Sequence, residues 1–215
     1  MRQLLLTATA ILGTGLLASN AHATPELGIQ LAEAGYADYA QTGSSPLTVV
    51  KSYGNFSTTV NTGTATSVPA LDLSSVDITT ATPGHTLTVT LSETGLTSPI
   101  GAANWITELT GHFVTGAGTF SLSSYVDDAD TLFGTSTRLS GPLTAGEIAT
   151  ATADTVNPFA LTLVLTFNAE AASNSHPAEL SADGSVTHVP EPASLALLGT
   201  GMLGLAITRR KRSAI

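Results

Sequence analysis

The chain has no cysteine in its 215 residues, which closes the disulfide framework, the thiolate metal site and the lipid-modified N-terminal cysteine. An exported form must therefore stand on its own core. Cations are nearly as scarce: seven Lys and Arg face sixteen Asp and Glu, for a net charge of −9. Five of the seven lie in the terminal segments. That leaves Lys51 and Arg138 alone in residues 24–189 against fifteen carboxylates, a formal charge of −13. Such a surface excludes a nucleic-acid or phosphate-binding face, opposes docking on anionic membranes, and favours solubility and, weakly, divalent cations. Aromatics make up 5% of the chain. Trp105, Tyr53 and Tyr125 would stack on sugar rings only if they lined one face, and Trp105 reads instead as core. There is no G-x-S-x-G nucleophile elbow. His85, His112, His176 and His188 are scattered without His-x-x-x-His spacing, so no zinc site is indicated. The central region has no helical stripe and no internal repeat.

What the central region does have is alternation. Leu87, Val89 and Leu91 oppose a row of hydroxyls, and Phe159, Leu161, Leu163, Leu165 and Phe167 share one face over nine residues. Period two at this length is a half-buried strand, and the second of these reads as central. Phe120, Leu122, Ser124 and Val126 repeat the pattern, and residues 105–114 read as another strand. Leu47, Val49, Lys51 and Tyr53 alternate up to Gly54-Asn55, then Phe56, Thr58 and Val60 resume, which is the pattern of a hairpin. Leu71 and Leu73 change phase with Val76 and Ile78 across Ser74-Ser75, as a β-bulge requires. Residues 27–36 admit a short helix or a first strand, and we read a strand. Residues 173–189 read as a last strand leading into a short linker. Breakers separate the runs, among them Pro69, Pro83-Gly84, Pro99, Pro142, Pro158 and Pro177. The expected fold is all-β, a single antiparallel β-sandwich over residues 24–189, a length suited to one domain.

The two ends differ from this region. Met1-Arg2-Gln3, the apolar residues 4–17 and the small residues Ala21 and Ala23 form a Sec-type signal peptide over 1–23, with cleavage expected before Thr24. At the other end, Pro190-Glu191-Pro192 precedes an uncharged apolar run, residues 193–208, and the basic cluster Arg209, Arg210, Lys211 and Arg212. As a helix the run is about 24 Å long, short of the roughly 30 Å bilayer core. The flanking cations snorkel and hold the cytoplasmic side. Gly199-Thr200-Gly201-Met202-Leu203-Gly204 and the run from Gly13 to Ala18 fit dinucleotide-loop spacing. The first leaves no room for the following helix and acidic residue, and the second lies in the leader, so neither is a nucleotide site.

Val189-Pro190-Glu191-Pro192-Ala193-Ser194, the apolar run and the basic cluster, in that order, resemble the PEP-CTERM sorting signal of Gram-negative bacteria. The resemblance places residues 190–215 as a sorting and anchoring segment. It implies transient retention in the inner membrane, then cleavage near the triplet by exosortase, a membrane-embedded cysteine transpeptidase, in cells that make extracellular polysaccharide. The central region is also similar to a group of uncharacterised exported β-domain proteins with the same tag. Tyr53-Gly54-Asn55-Phe56, Leu71-Asp72-Leu73-Ser74-Ser75-Val76, residues 119–127 and Phe159-Ala160-Leu161-Thr162 carry this likeness, which implies no activity.

Within the domain, Asp127, Asp128 and Asp130 form the one acidic cluster. It reads as a solvated turn after a strand, with a calcium site as the alternative. Glu93 and Glu108 would be a glycosidase pair only at about 5–10 Å. No cofactor is implied. The expected function is that of a non-catalytic surface or extracellular-matrix protein, structural in polysaccharide or biofilm. Its expected partners are the Sec machinery and exosortase during export, and extracellular polysaccharide afterwards. A polysaccharide- or calcium-binding module is the alternative.

Overall fold

The computed structural model describes residues 25–62 and 70–190, and these contain twelve strands and no helix. They are β1 (Leu27–Glu33), β2 (Tyr39–Gly43), β3 (Thr48–Tyr53), β4 (Phe56–Thr62), β5 (Ala70–Thr80) and β6 (Thr86–Leu96). There follow β7 (Gly101–Thr115), β8 (Ala117–Asp127), β9 (Thr137–Arg138), β10 (Ile148–Thr155), β11 (Phe159–Ala171) and β12 (Ala178–Val189). One sheet has the order β2-β1-β6-β11-β8-β9 and the other β10-β7-β12-β5-β4-β3, with antiparallel pairing throughout. The two pack face to face, so the fold is the antiparallel sandwich expected from the alternation.

Each inner face is built by period-two residues. Ile29, Leu31, Leu87, Val89, Leu91, Leu163 and Phe167 come from the first sheet, and Val60, Leu71, Val76, Ile78, Trp105, Leu180 and Val186 from the second. Rings cross the interface: Phe56 meets Phe167 edge-on at 5.8 Å between centroids, and Trp105 meets Phe159 at 6.2 Å. The phase change in β5 is a bulge. Both β4 and β12 pair past Ser74, stepping from Ser75 or Val76 directly to Leu73, so Leu73 and Val76 both face the core. The Gly54-Asn55 hairpin also forms, with Tyr53 paired to Phe56. Gly54 has φ 56° and Asn55 does not have positive φ, the sign pattern of a turn with glycine at its first central position.

Three strands have no counterpart in the sequence reading. The β10 segment alternates alanine with threonine, so its inner face lacks the large apolar residues that signal a strand. The short edge strands β2 and β9 are mostly exposed. Residues 27–36 form a strand only to Glu33, and a turn carries Tyr36. The last strand begins at Ala178, after a turn closed by reciprocal Ser173–His176 backbone bonds. The outer side of β11 is not the solvated face that alternation implies. Thr162 and Ala160 are fully buried. The segment after β8 folds back there, setting Leu132 and Phe133 over Gly28 and donating the Phe133 N–H to Ser92 Oγ at 3.0 Å. Ser92 and Thr162 hydroxyls lie 2.9 Å apart beneath it.

Candidate functional site

The junction between the domain and the C-terminal segment is set by β12. This strand lies between β5 and β7, and its last pair joins Val189 to Asn104 of β7. Pro190, which has no N–H to give to a ladder, is the next residue and the last one described. The ladder therefore runs to Val189, where the last strand was expected to end, and the linker expected beyond Pro190 lies outside the described residues. His188 lies against Trp105, with ring centroids 5.5 Å apart, and burial holds its pKa below the ordinary histidine value. Trp105 is 1% exposed, and its indole N–H has no hydrogen-bond partner among the described residues. Glu191, Pro192, Arg209, Arg210, Lys211 and Arg212 lie outside the described residues, as do Ala21 and Ala23. Among the described residues no helix is long and apolar enough to cross a membrane.

The acidic turn is an internally bonded loop. Burial pushes the Asp127 carboxyl up, but hydrogen bonds from Ser136, from Thr131 and from the Ala129 backbone outweigh it and hold the pKa below the ordinary value. The Thr131 N–H donates to Asp127 Oδ2 at 2.8 Å, and a Cβ on Gly134 would run into the same carboxylate. Asp130, at φ 53°, turns its Oδ1 to accept the Gly95 N–H at 2.7 Å. Asp128 is exposed. Two of the three calcium candidates are thus engaged with separate backbone donors. Among the described residues, no group of three His, Asp or Glu side chains is placed to hold a metal ion.

Glu93 and Glu108 do not face each other. Glu93 continues the inward row of Leu87, Val89 and Leu91, and burial raises its pKa, whereas Glu108 is exposed on the outer face of the other sheet. There it shares a shallow depression with Asp72 and Asp183. Asp72 is raised by burial and by Asp183, and Asp183 by burial and by Asp77. The three aromatics are not coplanar either. Trp105 is core, Tyr53 is buried and donates its hydroxyl to Ala37 O at 3.1 Å, and Tyr125 lies on the other sheet opposite Arg138.

The sequence reading missed a polar cluster at the far end of the sandwich. Glu33, with no side-chain exposure, accepts the Asn55 N–H at 2.8 Å and Asn55 Nδ2 at 2.6 Å. His85 Nδ1–H donates to Glu33 Oε1 at 2.9 Å. Gly54 has to be glycine, because a Cβ would collide with this carboxylate. The cluster joins the end of β1, the β3–β4 turn and the loop before β6, and its members are 22 and 52 residues apart in sequence. No local motif marks it. On the outer face of the second sheet, Asn104, Ile106, Thr150, Thr152 and Val189 border an open groove of about 370 Å³.

Among solved structures, the chain is similar to one described as "Structure of infectious bursal disease virus Gx strain". The identity is 12%, over 81% of this chain and 53% of that one, with a TM-score of 0.27. The chain spans about half the length of that structure, and a score so low supports nothing about fold or function. No curated protein matches the sequence. The family model for the PEP-CTERM protein-sorting motif, a signal recognised by exosortase, matches residues 188–212, and the chain is a sorted, exported protein that carries this motif.

Proposed function

We propose that this chain is a non-catalytic surface or extracellular-matrix protein. Its β-sandwich is the cargo and its C-terminal segment the address, held transiently in the inner membrane and removed near Pro190-Glu191-Pro192. The observation that carries this reading is the sorting motif starting at His188, inside the last strand of the domain, so that address and cargo are one continuous unit. The charge of residues 24–189 and their threonine-rich outer faces suit a hydrated polymer environment, where a structural role in polysaccharide or biofilm would be exercised. The test is to replace Glu191 and Pro192 with alanine. The reading expects the variant to stay in the membrane fraction while the parent reaches the surface or medium. An unchanged distribution rejects it.

A second reading is favoured by the groove of amide and hydroxyl side chains beside Val189. Such donors and acceptors suit a polysaccharide chain in an open site. Titrating oligosaccharides into the domain, with Asn104→Ala and Thr152→Ala as controls, separates a binding module from a purely structural one. Parallel calcium titration, with Asp128→Ala as its control, tests the metal alternative.

A further inference from the structure

We infer that the end of the sandwich carrying Ile100 and Val156 rests on the bilayer surface while the C-terminal segment is still attached. This rests on the reading of residues 193–208 as a membrane anchor. Ile100 is 65% and Val156 49% exposed, while most large apolar side chains among the described residues are buried, with Val50 and Ile148 among the exceptions elsewhere on the sheets. They flank one paired position, Gly101 opposite Thr155. The Thr155 hydroxyl lies 2.6 Å from Pro99 O and 3.3 Å from Gly101 O, fixing the two loops as one unit.

The direction of β12 brings this end to the membrane. Val189 pairs with Asn104 and the chain leaves toward Gly101, which lies three residues, or about 10 Å, further out along β7. The apolar run begins at Ala193, and four residues of extended chain reach at most about 14 Å from Val189. That reach is long enough for the loop tips and an apolar run inserted in the bilayer to meet the same membrane surface.

Residues 97–101 and 155–158 contain no charged side chain. The partner surface is a zwitterionic bilayer and not an anionic one. The acidic turn sits at the same end, its Asp127 paired with Ala160 and its Asp130 bonded to Gly95, and Asp128 is exposed there. The loops therefore make an apolar contact at the headgroup boundary, of the kind that grows with buried apolar area. Val114 serves as an internal control. It is 51% exposed and equally apolar, but it lies near the other end of β7.

The absence of native cysteine makes the test direct. The full chain is reconstituted in phosphatidylcholine vesicles as single-cysteine variants Ile100→Cys, Val156→Cys, Val114→Cys and Leu198→Cys, each carrying an environment-sensitive fluorophore. Quenching by nitroxide-labelled lipid is then read. We expect Leu198→Cys, Ile100→Cys and Val156→Cys to lose most of their emission and Val114→Cys to keep its own. Quenching at Leu198→Cys with none at the two loops overturns the inference and leaves the anchor standing. Equal quenching at Val114→Cys and at the loops also overturns it. No quenching at Leu198→Cys removes the anchor reading, and the inference with it.

Discussion

At Glu33 a carboxylate without exposed surface holds three separate stretches of chain. Removing it leaves the Asn55 backbone N–H, the Asn55 amide and His85 without their acceptor at a site where Glu33 has no side-chain exposure but Asn55 and His85 are part-exposed. Because water reaches part of Asn55 and His85, leaving these donors without the carboxylate costs about 1–3 kcal/mol in total. Glu33→Ala should therefore lower the urea midpoint strongly at unchanged slope, and Glu33→Gln, which keeps one acceptor oxygen, should fall between it and the parent. A loss below about 0.5 kcal/mol, within the range of ordinary surface substitutions, would falsify the assignment of this cluster as a structural tie. Sequence reading placed Trp105 in the core because a lone tryptophan in a strand of alternating burial has few other places to go. It could not assemble Glu33, Asn55 and His85, which meet only after two sheets have stacked. For the same reason it left the acidic turn open between solvent and calcium. The partners of Asp127 and Asp130 include Gly95, which lies on a different strand.

Elements were legible in proportion to the size of their inward side chains. The inner row of β11, Phe159 to Phe167, is buried throughout, and Leu163→Ala in that row should cost about 2–5 kcal/mol. Thr150→Ala on the exposed side of β10 should change stability by less than about 0.5 kcal/mol. Equilibrium unfolding of the two variants compares them directly, and a small loss at Leu163 would mean that β11 is not central. The β5 bulge makes a sharper forecast. Because both neighbouring ladders skip Ser74, deleting it makes each register continuous while Leu73 and Val76 keep facing inward. The deletion should yield a folded, cooperative domain. Inserting one residue after Leu163 turns half of the inner row of β11 outward and should abolish folding. Proton-amide spectra of both variants decide, and an unfolded Ser74 deletion contradicts the assigned register. The phase change was readable because aliphatics flank it on both sides, whereas β10 escaped because alanine marks neither face strongly.

Across the whole molecule, the charge on residues 24–189 sets how stability follows pH. Asp72, Asp183 and Glu93 bind protons more readily folded than unfolded, so their ionisation opposes folding. Their penalty is full above the raised folded values and disappears as pH falls through them to the ordinary carboxylate range. His188 acts in the opposite sense: its depressed pKa subtracts stability as pH falls below 6.5. Asp127, held low, keeps its stabilising bonds until pH drops below 3.8. Melting temperature should therefore dip as pH falls below 6.5 through His188, recover as the three carboxylate penalties are released on approach to the ordinary carboxylate range, and collapse below 3.8. The recovery should be smaller in Asp183→Asn. Calorimetry would contradict this account if stability fell without any recovery between pH 6.5 and 3.8.

At this scale the sequence signalled destination more clearly than role, because a sorting segment is read as a linear pattern while a binding face depends on which strands become neighbours. The central claim is that this β-sandwich is cargo delivered and released by its own C-terminal segment. Intact mass of the native protein, recovered separately from membranes and from culture medium, tests it most directly. The account predicts a medium form beginning at Thr24 and ending near Pro192. A chain found only in membranes with residues 193–215 still attached would contradict it.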